Sequence, residues 1–240
     1  MGILSRIASY AADLVGLRTC AVCGCELVSD EYGLCLRCQA TLPRCNEAHL
    51  AARFADIFSN AIAPQGITAA WFHYDPQTDP SRAIRTAKYA DRPRLARELG
   101  RSFGMELTRR YGRLPADVLL PVPMHWWKRM SRGYNQSLEI ARGISSATGI
   151  AVGDNLTALR PHSTQTHKSH LARRENIRGI IGVDHPAELD GLRLAIVDDI
   201  ITTGATIAEC ATAISISGTR PASIGFITLG ATVEHRLRKS

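Results

Sequence analysis

Apolar and polar positions along the chain follow two periods. Short apolar runs rich in β-branched residues mark buried strands at Ile67–Tyr74, Val118–Val122, Leu192–Val197 and Ala222–Leu229. Between them, apolar residues recur at steps of three and four. Leu95, Leu99, Phe103 and Leu107 predict a helix from about Pro93 to Tyr111. Leu138, Ala141 and Ile144 predict a second. Ile207, Cys210, Ala211 and Ile214 predict a third, stopped by Gly218. The last two strands and the helix between them form a βαβ unit, which requires parallel strands. The chain therefore reads as α/β, a mostly parallel sheet flanked by helices. Ile3, Leu4, Ile7, Ala8, Ala11, Leu14 and Val15 add one face of an N-terminal helix.

This pattern divides the chain into an N-terminal helix over 1–18, a cysteine module over 19–45, a connector over 46–66 and the α/β domain over 67–240. Its 240 residues suffice for one sizeable domain and a small module. Hydrophobic residues make up 45% and charged residues 21%, which excludes disordered and fibrous classes. The formal charge of +7 suits polyanionic ligands without choosing among them. No apolar run reaches the length of a membrane span, and the N-terminal stretch, broken by Asp13, lacks a signal-peptide pattern. A cytoplasmic, reducing compartment is the expectation.

Six of the seven cysteines lie between Cys20 and Cys45. Cys20, Cys23, Cys35 and Cys38 form two C-x-x-C pairs, the spacing that supplies four thiolates to one tetrahedral Zn²⁺. A closed four-thiolate site folds its module and catalyses nothing. Cys25 and Cys45 are left over, Cys45 with His49 making at most half of a second knuckle.

The strand at Leu192–Val197 ends in Asp198 and Asp199. The turn Thr202-Thr203-Gly204-Ala205-Thr206 and a helix follow. Unpaired N–H groups at a helix N-terminus, a closing glycine and three hydroxyls suit a phosphate. The carboxylates suit hydroxyls or a cation, so a sugar phosphate meets both demands. This stretch resembles the phosphoribosyl-pyrophosphate (PRPP) motif of the type I phosphoribosyltransferases. Upstream, Pro121-Val122-Pro123 closes a strand in a proline turn. His125 to Gln136 then interleaves aromatic, basic and amide residues, including Lys128, Arg132, Asn135 and Gln136. Such a segment fits either nucleic-acid contact or a mobile lid over a phosphorylated substrate. Residues 160–178 repeat the basic theme without a period.

Taken together, the cysteine pairs, Ala87-Lys88-Tyr89, Pro121–His125, Arg132–Gln136, Thr164-Gln165, Arg173–Arg178 and Asp198–Thr206 resemble the ComF family of competence-associated, phosphoribosyltransferase-like proteins. The resemblance implies a type I phosphoribosyltransferase fold with an N-terminal zinc module and a hood over the site. It implies that Asp198 and Asp199 hold the ribose hydroxyls and that Thr202, Thr203, Gly204, Ala205 and Thr206 cradle the 5′-phosphate. Pro121, Val122 and Pro123 would approach the pyrophosphate, with Mg²⁺ bound alongside it. Lys128, Arg132, Asn135 and Gln136 would belong to the flexible loop, with Arg132 joining the two aspartates in catalysis.

Two departures stand out. Thr202 occupies the position where many purine-salvage relatives carry a carboxylate acting on the base, which argues against 6-oxopurine transfer. A second cysteine pair, frequent in ComF relatives, is reduced to Cys45. Two functions follow from the resemblance. One is transfer or hydrolysis of the phosphoribosyl group with release of pyrophosphate, linked to DNA uptake. The other is a non-catalytic module that binds PRPP or a nucleic-acid 5′-phosphate and assists single-stranded DNA and DNA-uptake proteins. No residue clearly selects or deprotonates an acceptor.

Overall fold

The computed structural model describes residues 18–58, 63–78, 81, 84, 92–124, 133–159 and 179–232. The helix expected at the N-terminus, Lys88, Lys128, Arg132 and the basic stretch 160–178 lie outside them.

The main sheet has five strands in the order β1-β7-β6-β2-β3. These are β1 Gln65–Tyr74, β2 Val118–Pro121, β3 Ala151–Val152, β6 Arg193–Ile201 and β7 Ser223–Thr232. All four pairings are parallel, as the βαβ pattern requires. A short antiparallel pair, β4 Leu156–Ala158 and β5 Ile181–Val183, stands apart from it. Strands covered on both faces read as unbroken apolar runs. The central β7 is accordingly buried from Ile224 to Ala231.

Two apolar layers cover the sheet. On one face lie α3 Pro93–Tyr111 and α4 Gln136–Thr148, with Leu99, Phe103, Ile140 and Ile144 packed near Trp71 and Val197. On the other lie α5 Ala205–Ile216 and α2 Glu47–Arg53, followed by a 3₁₀ turn at Ala55–Ile57. Leu50, Phe54, Ile57 and Phe58 pack there with Ile207 and Ile214. The connector thus contributes a helix and five core residues, Ala63 being the fifth, and the ring of Phe54 meets Phe226 edge-on at 5.7 Å.

The cysteine module, with the short α1 Leu36–Ala40, docks on the α3 face. Leu34 and Cys35 join the core that holds Leu99 and Phe103. Ser102 Oγ donates to the Tyr32 carbonyl at 2.6 Å, and the Arg101 guanidinium lies 4.1 Å from the Tyr32 ring centroid. Glu106 anchors the far side, accepting from Trp71 Nε1 at 2.8 Å and pairing with Arg44 at 2.9 Å.

Helices α3 and α4 meet backbone to backbone. A Cβ placed on Gly143 would lie 2.0 Å from the Arg97 carbonyl oxygen, and one on Gly100 would lie 2.3 Å from that of Ile140. Glycine is therefore required at both points of this crossing, and Arg97 and Arg142 clamp Glu139 beside it at 2.7 Å each. Gly143→Ala should cost about 1–3 kcal/mol through overpacking. A urea titration should show a lower midpoint with an unchanged slope; an unchanged midpoint would mean that the crossing is loose.

Candidate functional site

The sequence pattern ends the acidic strand at its two aspartates, whereas β6 continues to Ile201. The reason is asymmetric pairing. On the β2 side the register stops at Pro121↔Val197, followed by one bond from Val122 N to the Val197 carbonyl at 2.9 Å. Pro121 and Pro123 lack N–H groups and cannot extend the ladder. On the β7 side pairing runs on through Asp198↔Thr228 to Ile201↔Ala231. Asp198 and Asp199 therefore sit on a strand that is still held on one edge and released on the other.

Side-chain alternation also slips at this point. Ala195 and Val197 face the α3–α4 layer, as does Ile200, whereas Ile196 and Ile201 face the opposite layer. The slip is supported by bonds from the carboxylates to the local backbone. Asp199 N donates to Asp198 Oδ1 at 2.9 Å, and Ile200 N donates to Asp199 Oδ1 at 2.7 Å. Asp199 is 8% exposed, while Asp198 is half-buried.

The threonine turn leads into α5 through Gly204, which caps the helix at φ 75° without a side-chain hydrogen bond. First-turn N–H groups need acceptors from outside the helix. Thr203 Oγ1 reaches Ala205 N at only 3.4 Å, long for such a bond. Thr202 is exposed, and Thr203 and Thr206 are half-buried. A glycine, a helix N-terminus and three hydroxyl groups are the elements of an anion cradle. Ile57 forms the wall behind Gly204: a Cβ there would lie 2.3 Å from Ile57 Cδ1. Arg53 ties the same connector to the end of β7, donating to the Thr232 carbonyl; Thr232 Oγ1 in turn donates to the Thr202 carbonyl at 3.4 Å.

Pro121–Pro123 lies beside the aspartates through the Val122–Val197 bond. Asn135 and Gln136 depart from the expected flexible loop and open α4 instead. Asn135 is its N-cap, accepting from Ser137 N at 3.1 Å and donating to the Val122 carbonyl at 3.1 Å. Gln136 is buried at 4% exposure and donates to the Ile84 carbonyl at 3.4 Å. An amide capping a helix, and one sealed in the core, belong to a fixed element. Ser137, which periodicity passes over, donates from Oγ to Asp198 Oδ1 at 2.9 Å. Its signal in the sequence is the Asn-x-Ser start of a helix. Ile57 has no such signal, because its contact with Gly204 spans most of the chain.

In the cysteine module, the four sulfurs of Cys20, Cys23, Cys35 and Cys38 all lie within 4.8 Å of one another, and Cys23 and Cys35 are 3.7 Å apart. Four Zn–S bonds of about 2.3 Å set tetrahedral edges near 3.8 Å, so the cluster matches a zinc-sized cavity. Without metal, hydrogen bonds from Cys25 draw the Cys23 thiol down to about 6, and burial pushes Cys38 up. Cys25 lies 3.4 Å from Cys23, which pushes it up to about 12. Cys45 meets His73 Nδ1 at 3.5 Å rather than completing a knuckle with His49, and burial raises it to about 11. Cys210 is fully buried in the core, as its helical position implies.

The chain is thus an α/β protein with a parallel main sheet, an acidic strand end, a threonine-glycine turn opening a helix and a four-cysteine module. No protein-family model matches it. It is 32% identical over 135 residues to the DNA utilization protein YhgH of Salmonella typhi, covering 55% of this chain and 59% of the relative. It is also 32% identical over 95 residues to competence protein F of Haemophilus influenzae, covering 39% of this chain and 42% of the relative. Each match spans less than two thirds of the relative's length. The ComF resemblance drawn from the motifs therefore meets relatives named for competence and DNA utilization. Among solved structures, glutamine PRPP amidotransferase from B. subtilis, complexed with ADP and GMP, aligns with a TM-score of 0.41 at 20% identity, covering 60% of this chain and 30% of that one. Purine phosphoribosyltransferase from Pyrococcus horikoshii aligns with a TM-score of 0.32 at 16% identity, covering 56% and 80%. No helix among the described residues is long and apolar enough to cross a membrane.

The wall behind the turn yields a specific expectation. Gly204→Ala meets both the left-handed φ and Ile57, so it should lower the thermal midpoint by several degrees, roughly the effect of 1–2 kcal/mol in a domain of this size. In an Ile57→Ala background, itself destabilised by the lost core side chain, Gly204→Ala should cost less than it does in wild type. Strictly additive losses in differential scanning fluorimetry would show that Ile57 does not press on the turn.

Proposed function

We propose that the β6–α5 junction binds PRPP with Mg²⁺ and that the protein transfers its phosphoribosyl group to a nitrogenous acceptor, or to water, with release of pyrophosphate, in a role linked to DNA uptake. One observation carries this reading. The aspartate pair, the threonine turn and the Pro121–Pro123 turn converge at the ends of β6 and β2. Ligands of open α/β sheets bind at such carboxyl ends.

Each group has a defined task. Asp198 and Asp199 accept hydrogen bonds from the ribose 2′- and 3′-hydroxyls. The Thr202–Thr206 turn takes the 5′-phosphate, its negative charge matched to the N-terminus of α5. The bond from C1 to the pyrophosphate oxygen breaks, its electron pair leaving with pyrophosphate, and the acceptor lone pair forms the new bond to C1. Positive charge grows at C1 meanwhile, and the nearby carboxylates stabilise it electrostatically. Mg²⁺ fits the oxygen donors gathered here and supplies charge neutralisation on the leaving group. Arg132, which the ComF resemblance implies in catalysis, is proposed as a further cation toward the leaving pyrophosphate.

A second reading rests on the relatives named for DNA utilization and competence and on the charge of +7. In it the same cradle holds PRPP or a 5′-terminal phosphate of single-stranded DNA without turnover. The cysteine module is proposed to hold one structural Zn²⁺ through Cys20, Cys23, Cys35 and Cys38, fastening Tyr32 and Leu34 to α3.

Calorimetric titration of PRPP with Mg²⁺ into wild type and Asp199→Asn separates these readings. The variant keeps the acceptor for Ile200 N but loses the charge, so binding should weaken about 10- to 100-fold, the worth of a charged hydrogen bond. Pyrophosphate release on adding a base or nucleoside, or with water alone, establishes the enzyme. Binding without release from any acceptor favours the DNA-handling module, in which affinity for 5′-phosphorylated single strands falls steeply with salt. Absence of PRPP binding by wild type overturns the proposal. For the metal, elemental analysis should find about one zinc per chain, lost together with the folded module in Cys35→Ser/Cys38→Ser. A folded, zinc-free wild type would refute the zinc assignment.

A further inference from the structure

Three consecutive residues at the start of α4 fasten three different segments. Asn135 Nδ2 holds the Val122 carbonyl of the proline turn at 3.1 Å. Gln136 Nε2 holds the Ile84 carbonyl at 3.4 Å from a position 4% exposed. Ser137 Oγ holds Asp198 Oδ1 at 2.9 Å. The turn that makes these bonds is itself fixed. Asn135 Oδ1 caps it through Ser137 N at 3.1 Å and Leu138 N at 3.4 Å. Behind it, α3 and α4 cross so closely that a Cβ on Gly143 or Gly100 would strike the backbone of the other helix.

We propose that this first turn of α4 is the positioning clamp of the site, with Ser137 acting through Asp198. The proposal rests on the ribose-phosphate reading above. A carboxylate on a strand end turns freely about its last torsion unless an oxygen is held. Asp198 Oδ1 receives two donors from different directions, Ser137 Oγ and Asp199 N, each at 2.9 Å. Together they set the plane of the carboxylate before a ligand arrives. Hydroxyl recognition depends on that plane, because a bound sugar offers its hydrogen bonds in fixed directions. Asn135 does the same for the neighbouring turn, so the spacing between the two halves of the site is set by one helical turn. Ser137 is a positioning residue and touches no reacting atom.

A double-mutant cycle tests this. PRPP with Mg²⁺ is titrated into wild type, Ser137→Ala, Ser137→Thr, Asp198→Ala and Ser137→Ala/Asp198→Ala, each first shown to be folded by a cooperative urea transition. Ser137→Ala should weaken binding about tenfold, as expected for one lost hydrogen bond to a charged group, and Ser137→Thr should recover most of it. In the Asp198→Ala background, which has no acceptor for the Ser137 hydroxyl, the same serine substitution should change little, because its effect passes through the carboxylate. Wild-type affinity in Ser137→Ala, or an equal loss in both backgrounds, overturns the clamp. Failure of wild type to bind PRPP overturns the ribose-phosphate reading instead. The urea midpoints of the same four-member cycle then decide the clamp alone: non-additive losses support the Ser137–Asp198 bond, and additive ones remove it.

Discussion

Strand β6 outruns its neighbour β2. Pro121 and Pro123 deprive β2 of the donors it needs to continue, while β7 keeps β6 in register to Ile201. That mismatch opens a notch at the carboxyl end of the sheet. The aspartate pair sits in it, the α5 turn flanks it and the proline turn bounds it. Had β2 continued, its backbone would fill the space beside Asp198, and the turn at Thr202–Thr206 would adjoin a closed sheet edge.

Both layers of the sheet converge on this notch. From one side α4 brings Asn135 and Ser137, and its own placement depends on the glycine crossing with α3. From the other, the connector brings Ile57 against Gly204 and Arg53 against the end of β7. The cysteine module reaches the site only at a distance, by bracing α3 through Tyr32, Leu34 and Arg44. A metal held by its four thiolates would stabilise a platform rather than supply chemistry, because such a site is closed.

Much of this was legible in the chain. The helix predicted over Pro93–Tyr111 forms over those residues, and the βαβ unit around Asp198–Thr206 is parallel. The cysteine spacing brings four sulfurs together. These features are local: a 3.6-residue period, a run of β-branched residues and a C-x-x-C turn each depend on neighbours along the chain. The end of β6 was misjudged because its continuation depends on β7, a strand from elsewhere in the chain. The resemblance alone assigns Asn135 and Gln136 to a loop, whereas one caps a helix and the other is sealed in the core.

By itself the sequence determined three long helices, four strands and the parallel sheet, and it marked the acidic turn as the candidate for phosphate and sugar chemistry, since these follow from periodicity and from residue types. Only the tertiary structure decided which residues support that chemistry. Ser137 reaches Asp198, Asn135 reaches Val122 and Ile57 reaches Gly204 across separations that no local pattern encodes. Those contacts exist because two layers of helices pack on one sheet with little free volume, and close packing brings together residues that the chain keeps far apart.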